Sequence, residues 1–187
     1  TREAVSAGGG KTPPAAYAKL GWLFFENRLY QEAADAHKRA YDGAASRPDS
    51  LRSLRDGICA LLMAGKNKAA DELIASFKER YGESSEDYAE VVYHEGLSLM
   101  AAKEYDKASN RFRYILSKFV DSKRADDAAY QTALTFYYDE KKDRALELFT
   151  DFVGKYPRSE LVAYARFKNA MILHEREEFA RAAEQFA

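Results

Sequence analysis

The sequence predicts an all-α chain built as a solenoid of about five helix–turn–helix repeats. A small residue recurs at Gly21, Gly57, Gly96, Ala133 and Ala170, and a second follows 12 residues later each time, at Ala33, Ala69, Ala108, Ala145 and Ala182. Successive repeats are offset by 36, 39, 37 and 37 residues. A fixed internal period of this size marks a repeat array, in which each unit buries its apolar face only by stacking on its neighbours. The composition agrees. Among 187 residues there are only 4 Pro and 10 Gly, and Ala, Leu, Glu and Lys, all strong helix formers, are abundant.

The paired small residues have a physical cause. Two antiparallel helices joined by a short turn approach closely only where both present small side chains, and bulky neighbours then fill the space beside the crossing. Tyr30, Tyr105 and Phe179 precede the second small residue by three positions; His37, Leu73, Phe112, Phe149 and Phe186 follow it by four, on the same helix face. His37 thus reads as a core or rim substitute for a bulky apolar residue.

Taken in order, helices are expected near 14–27 and 30–44, 50–64 and 67–81, 86–102 and 105–119, 123–139 and 142–155, and 159–176 and 179–187. The repeats then lie near 14–47, 50–83, 89–122, 126–159 and 163–187, the last ending within its second helix. Pro48 and Pro157 fall just after second helices, where a helix has to stop. Residues 1–13 are small, polar and Gly-rich and are expected to form a flexible leader. No charged and apolar stretch opens the chain, so a signal peptide is expected to have been removed or never present. One position departs from the pattern. The residue before each first small residue is Leu20, then Asp56, Glu95, Thr132 and Asn169. These polar groups require solvent or a partner.

Bulk chemistry excludes several functions. The net charge is −1 with 32% charged residues, so the basic excess that releases counterions from nucleic-acid phosphates is missing and no nucleic-acid partner is expected. No run approaches the length of a membrane span. Cys59 is the only cysteine and lies in an apolar run, as a small core residue does. Gly8-Gly9-Gly10-Lys11-Thr12 looks like the tail of a phosphate-binding loop. Val5 holds the place of the required first glycine, however, and Pro13 and Pro14 stand where a helix should start. His37, His94 and His174 are too far apart for a helical metal pair. Glu83, Glu86 and Asp87 suit a helix N-terminus, where the helix dipole favours negative charge. No enzyme, metal or cofactor is expected.

Tyr17, Leu20-Gly21, Phe24, Ala33 and Ala40 in the first repeat, and Ala133, Phe136, Ala145, Phe149 and Pro157 in the fourth, resemble the signature of the tetratricopeptide-repeat (TPR) family. The resemblance covers about residues 14–187. It implies an inner groove lined by the first helices, at positions three before, one after and four after the first small residue. Ala18 and His174 apart, these are Trp22 and Phe25; Leu54, Ile58 and Leu61; Tyr93, Leu97 and Met100; Tyr130, Leu134 and Tyr137; and Phe167 and Met171. None is Lys, Arg or Asn, so the chaperone-tail mode of TPR binding, which clamps a carboxylate, is not expected. The implied ligand is an apolar or amphipathic protein segment.

Lys155-Tyr156-Pro157-Arg158-Ser159, followed by residues 163–170, is similar to bacterial envelope TPR proteins of the outer-membrane assembly lipoprotein and Tol–Pal-associated types. The similarity of style covers mainly residues 88–187. It implies a protein-binding scaffold in the periplasm or envelope, with a cytoplasmic location as the alternative. A self-assembling solenoid, homo-oligomeric through its groove or ends, and a regulatory domain of a larger protein are the competing readings.

Overall fold

A computed structural model describes residues 12–186, and among these there are ten helices and no strand. They run α1 Pro14–Glu26, α2 Tyr30–Asp42, α3 Arg47–Met63, α4 Asn67–Tyr81, α5 Glu86–Ala101, α6 Tyr105–Lys118, α7 Ala125–Tyr138, α8 Lys142–Lys155, α9 Val162–Glu175 and α10 Phe179–Glu184. The chain is an all-α TPR solenoid of consecutive helical hairpins. It divides into two compact units at His94/Glu95, within α5. Residues 1–11 of the expected leader, with the Gly8–Lys11 part of the phosphate-loop look-alike, lie outside the described residues.

The same turn closes all five hairpins. A residue with positive φ ends each first helix: Arg28 (60°), Gly65 (70°), Lys103 (60°), Glu140 (58°) and Glu177 (63°). The next backbone N–H then reaches back to a carbonyl of the first helix: Leu29 to Phe24, Lys66 to Leu61, Glu104 to Leu99, Lys141 to Phe136 and Glu178 to Leu173, each at 2.9 Å. This left-handed helix stop satisfies carbonyls that would otherwise be orphaned. Only Gly65 adopts it without steric cost.

These turns correct the register of the second repeat. In the other four the first small residue lies seven positions before the turn residue, and the second five after it. Counting from Gly65, those positions are Ile58 and Ala70. Ile58 and Ala70 are fully buried, whereas Ala69 is exposed. Ile58 therefore belongs to the helix crossing, and Ile74 takes the core place expected of Leu73. Gly57 packs instead toward the preceding hairpin, where an added Cβ would lie 3.5 Å from His37 Cβ.

In the first unit Ala33, Ala34 and Ala60 form a core with Phe24, Phe25 and Leu61 packed on it. Phe77 and Tyr88, both nearly fully buried, stack with ring centroids 6.1 Å apart. In the second unit Tyr130, Ala133, Leu134, Ala145, Phe149, Phe152, Ala165 and Ile172 pack together, and Ala170, Leu173 and Ala182 form a smaller cluster beside them.

Three helix starts differ from expectation. α3 begins at Arg47, so Pro48 lies inside its first turn instead of following α2; Ser46 Oγ caps it by accepting from the Asp49 N–H at 3.2 Å. α7 and α9 begin at Ala125 and Val162, two and three residues later than expected. Ser159 Oγ accepts from the Leu161 N–H and donates to Asp126 Oδ2 at 2.6 Å, which ties the α8–α9 turn to α7.

The out-of-pattern polar residues all find partners. Asp56 accepts from Arg55 Nε at 2.7 Å, and Arg111 lies 3.5 Å from Glu95. Thr132 Oγ1 donates to the Ala128 carbonyl at 2.7 Å. Asn169, 1% exposed, donates to Thr150 Oγ1, while its own Oδ1 has no partner.

Candidate functional site

The thirteen expected groove residues do not form one open surface. Leu54, Ile58, Tyr93, Tyr130 and Leu134 are buried, so as folded they are core and cannot meet a partner. Phe25, Leu61, Leu97, Met100, Tyr137 and Met171 are half-buried, and Trp22 and Phe167 are exposed.

Packing explains the division. In the second unit Tyr130 is drawn onto α8, with its ring centroid 5.5 Å from that of Phe149 and 5.8 Å from that of Phe152. Leu134 and the inner edges of Met100 and Tyr137 join the same cluster. In the first unit Phe25 meets Tyr30 and His94 edge to face, at 5.3 and 5.9 Å. Leu54 and Leu61 line a cleft of about 310 Å³ shared with Ala34, Tyr41 and Leu73 of the second helices.

Three aromatic rings remain accessible on the first helices of the second unit. Tyr138, Tyr164 and Phe167 are 49%, 62% and 51% exposed. Tyr164 and Phe167 are one turn apart on α9 and so share a face. Lys168 extends from α9 across α7, placing its Nζ 4.5 Å from the centre of the Tyr137 ring and 5.9 Å from that of Tyr138. This cation–π arrangement fixes the two helices in register at this edge. Tyr138 also stacks on Tyr105, with centroids 6.5 Å apart.

Tyr130 and Tyr137, beside these exposed rings, keep neutral hydroxyls. Burial, with Tyr138 and Tyr164 nearby, pushes Tyr130 up to about 12. Burial and the Glu175 carboxylate push Tyr137 up as well. Uncharged hydroxyls beside apolar ring faces and one ammonium suit an extended or helical protein segment with backbone polar groups and large apolar side chains. Sequence reading missed Tyr138 and Tyr164. The one-turn spacing from Phe167 pointed to Tyr164, but no pattern in the sequence distinguishes exposed Tyr138 from half-buried Tyr137.

No group of three or more His, Cys, Asp or Glu side chains among the described residues is placed to hold a metal. Cys59 is buried and unbridged. Among the described residues no helix is long and apolar enough to cross a membrane.

Residues 85–185 match the sequence profile of the family described as YfiO, outer membrane lipoprotein. No curated protein sequence matches the chain. Among solved structures, MamA (residues 41 to the end) from Desulfovibrio magneticus RS-1 is 16% identical, with 92% of this chain and 90% of that chain covered at a TM-score of 0.63. Pseudomonas aeruginosa PilF is 17% identical, with 92% and 73% covered and a TM-score of 0.67. TPR-like repeats from Podospora anserina are 13% identical, with 95% and 94% covered and a TM-score of 0.66. At these identities the likeness is one of fold.

Proposed function

Because the chain belongs to the YfiO outer-membrane-lipoprotein family, we propose that it is a protein-binding scaffold of the bacterial envelope whose second unit holds an apolar or amphipathic segment of a partner protein. One observation carries this reading: Tyr138, Tyr164 and Phe167 are each about half exposed or more on first helices, beside an ammonium held over two rings. Large aromatic side chains left in water on adjoining helices mark interaction surfaces. Burying a large apolar side chain contributes about 1.5–3 kcal/mol before ordering costs. The remaining groove residues Leu97, Met100, Tyr137 and Met171 serve as its half-buried floor, and Trp22 and Phe25 offer a separate contact on the first unit.

The test is capture from envelope extract with wild type and a Tyr164→Ala, Phe167→Ala variant, both checked for folding by circular dichroism. Both side chains are exposed, so the fold tolerates their loss. A partner retained by wild type is expected to bind the variant on the order of 100-fold more weakly, from about 1.4 kcal/mol per ring. Equal capture by both proteins refutes this site. A concentration-dependent oligomer of wild type, lost in the variant, moves the surface to self-association.

A further inference from the structure

His37 occupies a place that other repeats give to phenylalanine. Phe112 and Phe149 stand at its equivalent positions, both fully buried. The first and third hairpins even share one contact. A Cβ added to Gly96 would lie 2.5 Å from Phe112 Cε1, and one added to Gly21 would lie 2.6 Å from His37 Nε2. The imidazole is therefore pressed on α1 as a phenyl ring would be, and Gly57 of α3 closes its other side. His37 is 3% exposed, and its Nδ1 has no hydrogen-bond partner.

This seat holds a neutral ring and gives little to an imidazolium, which needs acceptors for two N–H groups. The charges acting on the ring come from α3: Asp56 favours the proton and Arg55 opposes it. Asp56 is already engaged by Arg55 at 2.6 Å. On α1 the charged side chains Lys19 and Glu26 are exposed; on α2 all are exposed except half-buried Glu32. Tyr17, Tyr30, Tyr41 and Cys59 also lie on these helices. Burial is the largest effect and holds His37 below the ordinary histidine value. The unfolded chain therefore takes up this proton first, near pH 6.5. The stability that the neutral ring contributes is complete above that value and is lost as pH falls below it.

We propose that protonation of His37 releases α1 from α2 in mild acid, so that the first unit opens while the second, with phenylalanine at its equivalent positions, stays closed. α1 is the element to move, since it packs chiefly on α2 and only marginally on α3. A helix held chiefly by one neighbour opens locally at less cost than a core element.

The test is amide hydrogen exchange on the whole chain at about pH 7.5 and pH 5, with wild type and His37→Phe, comparing protection of α1 with that of α7. Wild-type α1 is expected to lose several-fold more protection than α7 between the two pH values. His37→Phe should lose less than about half of that. Equal losses in the two proteins, or unchanged protection of wild-type α1, overturn the proposal. Should His37→Phe fail to fold, a proton NMR titration of wild type decides. The folded His37 resonance is expected to titrate below the ordinary histidine value. Titration at or above the ordinary value with α1 still protected overturns the proposal.

Discussion

Gly96 and Gly154 both lie within helices of the second unit's sequence, yet their replacement by alanine should have opposite effects. In an open helix position Gly→Ala stabilises by about 0.5–1 kcal/mol, because glycine loses more backbone freedom on folding. Gly154 on α8 is such a position, with nothing within 4 Å of an added Cβ. At Gly96 the added Cβ would lie 2.5, 2.6 and 2.9 Å from three carbons of the Phe112 ring, where carbon atoms prefer about 3.5–4.0 Å. Phe112 is fully buried and cannot swing into solvent. Overpacking of this kind costs about 1–3 kcal/mol. After the propensity gain is subtracted, Gly96→Ala is expected to destabilise by about 1–2 kcal/mol. Urea unfolding followed by circular dichroism reads both variants on the transition of one unit. A Gly96→Ala, Phe112→Leu double variant tests the cause: Phe112→Leu should cost less in the alanine background than alone. If Gly96→Ala matches Gly154→Ala in stability, or the two substitutions simply add, the close crossing is not what sets this residue.

Backbone strain, a partly buried ion pair and a buried phenol each have a measurable consequence. Gly65 has a φ of 70° and open space around it, so Gly65→Ala should cost about 1 kcal/mol through backbone strain alone, read as a lower urea midpoint. Arg55 joins Asp56 of α3 to Asp87 of α5, the latter at 2.5 Å, all three partly buried; Arg55→Ala should destabilise by about 1–2 kcal/mol, and Asp87→Asn by less, in thermal unfolding. Tyr130 ionises near 12 when folded and near 10 when unfolded, so its contribution to stability is complete below about pH 10 and is lost as pH rises toward 12. Tyr130→Phe should flatten that part of the stability–pH curve relative to wild type, and an unchanged slope would count against the burial of this hydroxyl.

The hairpins were legible because their cause is local. The 12-residue interval between small residues follows from turn length and helix pitch, and four of the five pairs lie at the crossings as expected. The second repeat misled because Gly57 stands one residue before the crossing and Ala69 one before Ala70. Two adjacent alanines cannot reveal which one faces inward, and a bulky Ile58 at a crossing runs against the small-residue rule. Pro48 shows the same ambiguity between helix stop and first turn, which only the Ser46 cap resolves. The groove was less legible for a different reason. Whether Tyr130 opens to solvent depends on how far α7 rolls toward Phe149 and Phe152 on α8. That roll is set by tertiary packing, and the same tyrosine suits either outcome.

Trp22 is the only tryptophan in the chain, and it stands 59% exposed on α1. Selective excitation of its indole therefore watches one helix of one hairpin with no label attached. The second unit carries seven of the chain's 13 tyrosines and no tryptophan, so phenol absorbance weights the other half of the molecule differently. A single unmodified sample can thus report two parts of the chain through two chromophores, and melting curves that fail to superimpose would separate their transitions in one cuvette.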